Sequence, residues 1–258
     1  MTQPLRGRTI MVTRPRAQAA TLAGLIAERG GKPVIFPLIE ISPAADPGPL
    51  QTAIACLERY SLAIFISPNA IDFSLPLIVA ERGWPSGLRA VAIGPSSVTR
   101  LASYGVEQTL APVERFDSES VLGLPELQRA AVAGQRVLIL RGNGGRELLA
   151  ETLRERGSEV DCVSCYLRSA PDSALPLKTL WDSGQLDALT ISSSEGLRNL
   201  VDLLDPPARA QLHTTPVFVP HQRIADLAQT LGLQQVVLTE PADAGIVAAL
   251  SNHAWRRA

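Results

Sequence analysis

Thr9-Ile10-Met11-Val12-Thr13-Arg14-Pro15 returns later in the chain as Arg136-Val137-Leu138-Ile139-Leu140-Arg141-Gly142, an apolar run closed by an arginine and a turn-forming residue. The same register carries Glu28-Arg29-Gly30 onto Glu155-Arg156-Gly157, and Phe65-Ile66-Ser67-Pro68-Asn69 answers to Thr190-Ile191-Ser192-Ser193-Ser194. A period of about half the chain is too long for a solenoid. It predicts an α/β protein of two similar lobes, with polar strand-ends opposed across a cleft.

Around these repeats, short apolar runs alternate with amphipathic stretches, the pattern of a parallel sheet flanked by helices. Strands are predicted at 9–12, 34–41, 62–66 and 89–93, then at 136–140, 160–167, 188–191, 217–219 and 236–238. Helices start near Ala17, Leu50, Asn69, Ser96, Gly145, Leu175, Ser194, His221 and Asp243. Gly30 and Gly157 each follow an arginine, as at a helix C-terminus. Two predicted strands, 34–41 and 160–168, are too long for a compact lobe and sit at equivalent places. Such strands can pair with each other and form a hinge that permits rigid-body closure; Pro37 marks a bend or an edge in the first.

Composition narrows the function. The chain has 258 residues, 46% hydrophobic and 19% charged, enough apolar side chain for two cores. A net charge of −1 makes no case for nucleic acid or an anionic membrane as partner. An anionic small molecule remains compatible, because local arginines and backbone N–H groups bind anions on a neutral protein. The N-terminus lacks the apolar stretch of a signal peptide and no segment is apolar enough to span a bilayer, so the expected location is the cytoplasm. Of three cysteines, Cys162 and Cys165 form a CxxC inside a strand-like run, which reads as buried structural thiols; a redox pair wants a helix N-terminus.

Ligands of parallel sheets bind past the carboxyl ends of the strands. Those positions hold Thr13-Arg14-Pro15, Ser67-Pro68-Asn69 and Gly94-Pro95-Ser96-Ser97 in one half. In the other they hold Arg141-Gly142-Asn143-Gly144-Gly145-Arg146, Ser192-Ser193-Ser194 and Pro220-His221-Gln222-Arg223. Hydroxyls, glycines and arginines dominate, with almost no carboxylate. That set suits anion binding at helix N-termini, with arginine as a forked donor. Each piece also has a plain structural role: the serines as N-caps, the glycine run as a tight turn, Arg14 and Arg141 as partners of surface acids. Neither a GxSxG elbow nor a P-loop is present, and three scattered histidines without an acidic cluster argue against a metal site. What favours the functional reading is that the same residue types recur after the same strands in both halves.

On Val12-Thr13-Arg14-Pro15, Phe65-Ile66-Ser67-Pro68-Asn69-Ala70, Ala92-Ile93-Gly94, Leu140-Arg141-Gly142 with Arg146, Cys165-Tyr166 and Thr190-Ile191-Ser192-Ser193, the chain resembles the uroporphyrinogen-III synthase family over nearly its whole length. The resemblance implies one discontinuous lobe (1–37 with 170–258), a second lobe (42–164), and a two-stranded β linker near 37–42 and 164–170. It implies cyclisation of hydroxymethylbilane, a linear tetrapyrrole, with neither metal nor organic cofactor. Transient contact with hydroxymethylbilane synthase is expected, and the lack of an extra apolar helix or coiled-coil repeat predicts a monomer. Tyr166 is expected nearest the departing hydroxyl, as a neutral proton-bearing donor. Arg14, Ser67, Asn69, Gly94, Ser97, Arg141, Gly142, Arg146, Ser192, Ser193 and Gln222 are expected to bind the substrate. At Pro220-His221-Gln222-Arg223 the chain departs from the Gly-Pro-Thr-Thr of some members, which removes a hydroxyl there. The alternatives are a non-catalytic sensor on the same fold, a two-lobed nucleotide-sugar transferase, which wants an acidic or histidine base, and a periplasmic-type binding protein, which wants an export signal.

Overall fold

The computed structural model describes residues 3–144 and 147–255. Its strands, in chain order, are β1 (Thr9–Val12), β2 (Lys32–Ile35), β3 (Glu40–Pro43), β4 (Leu62–Phe65), β5 (Arg89–Ala92), β6 (Thr109–Leu110), β7 (Arg136–Gly142), β8 (Glu159–Ser169), β9 (Ala188–Thr190), β10 (Val217–Val219) and β11 (Val236–Leu238). β1 and β4 are buried at every position. Continuous apolar runs of this kind belong to strands covered by helices on both faces.

One sheet has the order β11-β10-β9-β1-β2 and the other β3-β8-β7-β4-β5-β6. The β1–β2 and β7–β8 pairs are parallel, as are β1–β9 and β4–β7. Setting β2, β1, β9, β10, β11 beside β8, β7, β4, β5, β6 gives the same spatial order in both sheets. The repeat of sequence is therefore a repeat of topology, with β3 added at the edge of the second sheet. Side chains alternate between the two faces of each sheet. In the second sheet Phe65, Ala92 and Leu140 enter one core, and Ile64, Val91 and Ile139 the other. In the first, Met11, Leu189 and Val219 face one core, while Ile10, Ala188 and Phe218 face the other.

Backbone contacts divide the chain into two compact units: the segment up to Glu40 together with Ser169 onward, and Ile41–Arg168. The divisions fall within β3 and at the end of β8, which are hydrogen-bonded neighbours.

Three sequence expectations are corrected. The strand predicted over 34–41 is two strands. Phe36 and Leu38 donate to the carbonyls of Val12 and Thr13 at 3.0 and 3.1 Å, following β1 past its end. Pro37 lies between the two donors and costs no bond to β1; beyond Thr13 the chain turns into the helix Arg16–Glu28, so pairing stops before β3 begins. The helix Pro206–Thr214 and the two-residue β6 were not foreseen. Cys162 is exposed, whereas Cys165 is buried; the Cys165 thiol lies 3.2 Å from the Arg141 carbonyl, and burial pushes it up to about 12. No described helix is long and apolar enough to cross a membrane.

Candidate functional site

In the unit formed by Ile41–Arg168, the carboxyl ends of β4, β7 and β8 converge on a hydroxyl pair. Ser67 follows β4 and caps the helix Pro68–Glu81, its Oγ accepting the Ala70 N–H at 3.2 Å. The same Oγ lies 3.1 Å from the Tyr166 hydroxyl. Tyr166 sits on β8, 2% exposed, its ring stacked on Phe73 at 5.9 Å. The register between β7 and β8 slips between Arg141 and Gly142, so that Gly142 faces Tyr166. This bulge lets the adjacent residues Cys165 and Tyr166 both turn inward. A side chain at position 142 would not fit: a Cβ there would stand 2.7 Å from the Tyr166 ring. Asn143 then clips the strand end, accepting from the Arg168 N–H at 2.6 Å and donating to the Arg168 carbonyl at 3.2 Å.

Two hydroxyl protons meet at Ser67 and Tyr166, and their mutual hydrogen bond uses one of them. The Ala70 N–H occupies a lone pair of Ser67, not a proton. One neutral O–H therefore remains for a ligand, from Tyr166 if Ser67 donates inward and from Ser67 if Tyr166 does.

On the face of this sheet opposite the core that holds Tyr166, a cavity of about 300 Å³ is lined by Ile66, Ile93, Phe116, Arg141 and Leu149 among others. Arg141 borders it with its side chain 13% exposed, bound to Glu147 at 2.7 Å. That contact raises the guanidinium further above its ordinary value and lowers the Glu147 carboxyl. Gly94 leaves room for Phe116, whose Cβ would be 3.2 Å from a side chain at 94. Ser97 is buried in the first turn of the helix Pro95–Ala102, and Asn69 is half-buried in the first turn of Pro68–Glu81. Arg146 lies outside the described residues.

The other unit presents a parallel set. Thr13 Oγ1 donates to the Thr190 carbonyl at 2.7 Å and ties the ends of β1 and β9 together. Arg14 is ion-paired with Asp243, in the first turn of the helix Ala242–Asn252. Ser192 is half-buried after β9, and Ser193 caps the helix Ser194–Leu203, accepting from Gly196 N–H at 3.3 Å. Gln222 opens the helix Gln222–Thr230, exposed, its amide donating to Asp226 at 2.7 Å. A second cavity, about 370 Å³, is lined by Ser193, Ser194, Glu195, Arg198, Arg223 and Leu227.

The structure thus brings Ser67, Gly142 and Tyr166 together, while Arg141 lines the cavity on the other face of the sheet and Gly94 packs against Phe116, another of its lining residues. It ties Arg14, Arg141 and Gln222 to acids within their own units. Sequence reasoning missed Phe116, Phe73, Arg198 and Arg223. The two phenylalanines carry no local pattern that marks them. Arg223 stood in view just past β10 and was passed over for its neighbour Gln222.

Comparison with known proteins identifies the family and the fold. The family model for uroporphyrinogen-III synthase HemD matches residues 20–248. A uroporphyrinogen-III synthase of Escherichia coli is 35% identical over 240 residues, 91% of this chain and 96% of that protein. The Salmonella typhimurium synthase is also 35% identical, over 239 residues and the same shares. Among solved structures, a mutant uroporphyrinogen III synthase of Thermus thermophilus superposes with a TM-score of 0.62 at 17% identity, covering 94% of this chain and 96% of that one. A uroporphyrinogen-III synthetase of Helicobacter pylori gives 0.56 at 16% identity, over 95% and 100%. At these identities the structural likeness speaks for the fold.

Proposed function

The chain belongs to the uroporphyrinogen-III synthase family, and from that premise we propose that it closes linear hydroxymethylbilane to uroporphyrinogen III, inverting ring D and releasing water. The observation that carries the residue assignment is the Ser67–Tyr166 pair, which keeps one neutral O–H available at the strand ends. That donor hydrogen-bonds to the terminal hydroxyl of the substrate. The C–O bond breaks as the pyrrole nitrogen supplies its electron pair, leaving an azafulvene and water. The substituted carbon of ring D attacks the exocyclic carbon and forms a spiro intermediate. This opens, and the ring recloses inverted.

A strong acid is not required. Closure proceeds unaided to isomer I, so the protein's task is to hold one geometry against a reaction that already runs. Orientation of a flexible polycarboxylate supplies that selectivity, and a positioned neutral donor assists departure of the hydroxyl. The helix N-termini after β4 and β5 supply donors for substrate carboxylates. A substrate that closes by itself also favours a short transfer, by transient contact with hydroxymethylbilane synthase.

The decisive assay generates hydroxymethylbilane in situ, adds the protein, and separates the oxidised uroporphyrins by chromatography. Isomer III in excess over the protein-free control is the expected result. Isomer I alone, from folded protein, would sink the enzymatic reading and leave the sensor alternative.

A further inference from the structure

We infer that Arg198 and Arg223 form a carboxylate clamp that binds the substrate in the unit containing β9 and β10. The two arginines that stand directly after the repeated strands are both neutralised: Arg14 pairs with Asp243 and Arg141 with Glu147. Among the described residues, Arg198 and Arg223 make no ion pair or hydrogen bond, yet both line the same cavity of about 370 Å³. Arg198 comes from the second turn of the helix Ser194–Leu203 and Arg223 from the first turn of Gln222–Thr230. With Glu195 as the cavity's one carboxylate, the lining is net positive.

Two observations point to an occupant. Like charges that share a concave surface repel unless an anion sits between them. Ser194, in the same wall, has a buried Oγ without a hydrogen-bond partner, and buried hydroxyls are normally satisfied. A carboxylate that enters the cavity supplies a counter-charge for both guanidiniums. Two forked donors match two carboxylates, so the ligand class is a pyrrole bearing an adjacent acetate and propionate. This identification of the ligand rests on the proposed reaction.

The test compares the wild type with Arg198→Gln, Arg223→Gln and the double variant, in the full chain. Both side chains are exposed, so the thermal midpoint should hold. For the double variant the KM for hydroxymethylbilane should rise about tenfold or more, the worth of a charged hydrogen bond, with kcat nearly unchanged. The lysine variants should recover part of the loss. In parallel, binding of uroporphyrin III is followed by fluorescence quenching. The double variant should lose affinity for it by a similar factor, and lose less for coproporphyrin, which has methyl groups in place of the acetates. Unchanged KM and uroporphyrin affinity, or a fall in kcat alone, would overturn the clamp. If the wild type makes isomer III and the variants match it, the clamp fails and the reaction stands. If the wild type makes only isomer I while the double variant loses uroporphyrin binding, the clamp stands and the reaction fails.

Discussion

At Gly142 the absence of a side chain is what lets Tyr166 reach Ser67. Gly142→Ala would place a methyl about where the ring is, so the ring must leave Ser67 and Phe73. Overpacking of this kind costs about 1–3 kcal/mol. Tyr166→Phe removes only the hydroxyl and keeps the ring stacked; turnover should fall on the order of ten- to a hundredfold, slowing the enzyme without abolishing it. Steady-state kinetics and calorimetry together separate the two. Gly142→Ala should lose both activity and melting temperature, Tyr166→Phe mainly activity, and equal melting temperatures would deny the steric role of Gly142. The cysteines give a second residue-scale test. With Cys162 exposed and the Cys165 thiol pushed up to about 12 by burial, iodoacetamide at mildly alkaline pH should label Cys162 and spare Cys165 in native protein, as peptide mass spectrometry would read out. Ser67, Gly142 and Tyr166 were each legible in the sequence. The pairing of Arg14 was not, because its partner Asp243 lies 229 positions away and no local pattern announces so distant a contact.

Helices and strands were legible where an apolar run meets a capping residue, and illegible where a proline has two meanings. Asp205-Pro206-Pro207 reads as a turn, yet Asp205 accepts the Ala208 N–H and caps a helix with proline in its first turn. Pro37 reads as a bend or an edge, yet pairing continues past it to Leu38 and stops only where the chain after β1 turns into a helix. A third proline, Pro76, lies exposed inside the helix Pro68–Glu81, which also carries Asn69 and Phe73. It removes one helical hydrogen bond and crowds the carbonyl of Asp72. Pro76→Ala should therefore raise the melting midpoint of this unit by a few degrees, at about 2–4 °C per kcal/mol, and an unchanged or lower midpoint would mean the helix is shaped around the kink. At the opposite end of the same sheet, burial and a 2.7 Å hydrogen bond to Asp161 on β8 push the Tyr60 phenol from 10.0 up to about 12. The folded chain keeps that proton where the unfolded chain has released it. This contribution is complete below pH 10 and is lost as pH rises toward 12. In alkaline denaturation curves Tyr60→Phe should flatten the decline across that window; an identical slope would assign the decline elsewhere.

Over the whole molecule, the half-length repeat made two similar α/β units legible, and the two sheets share one strand order. Residue patterns alone place the first strand with its sequence neighbours. The structure instead sets β1 against β9, because the chain leaves the first sheet after β2 and returns to it only after β8. Ile41–Arg168 holds its own sheet and both of its cores, so a fragment of those residues should melt cooperatively by circular dichroism. A fragment ending at residue 40 should show no transition. The same interruption sets a schedule at the ribosome. Thr9 and its contact Asp187 are 178 residues apart, which at ~5–20 residues per second is on the order of ten to forty seconds of translation. By the end of that interval the nascent chain carries a middle complete to residue 168 and, upstream of it, an apolar strand paired with β2 alone, its other edge still waiting for β9. Chaperones would meet this protein at that strand, and a translation stall between the two halves of the interrupted sheet would release a polypeptide with one native lobe and one adhesive end.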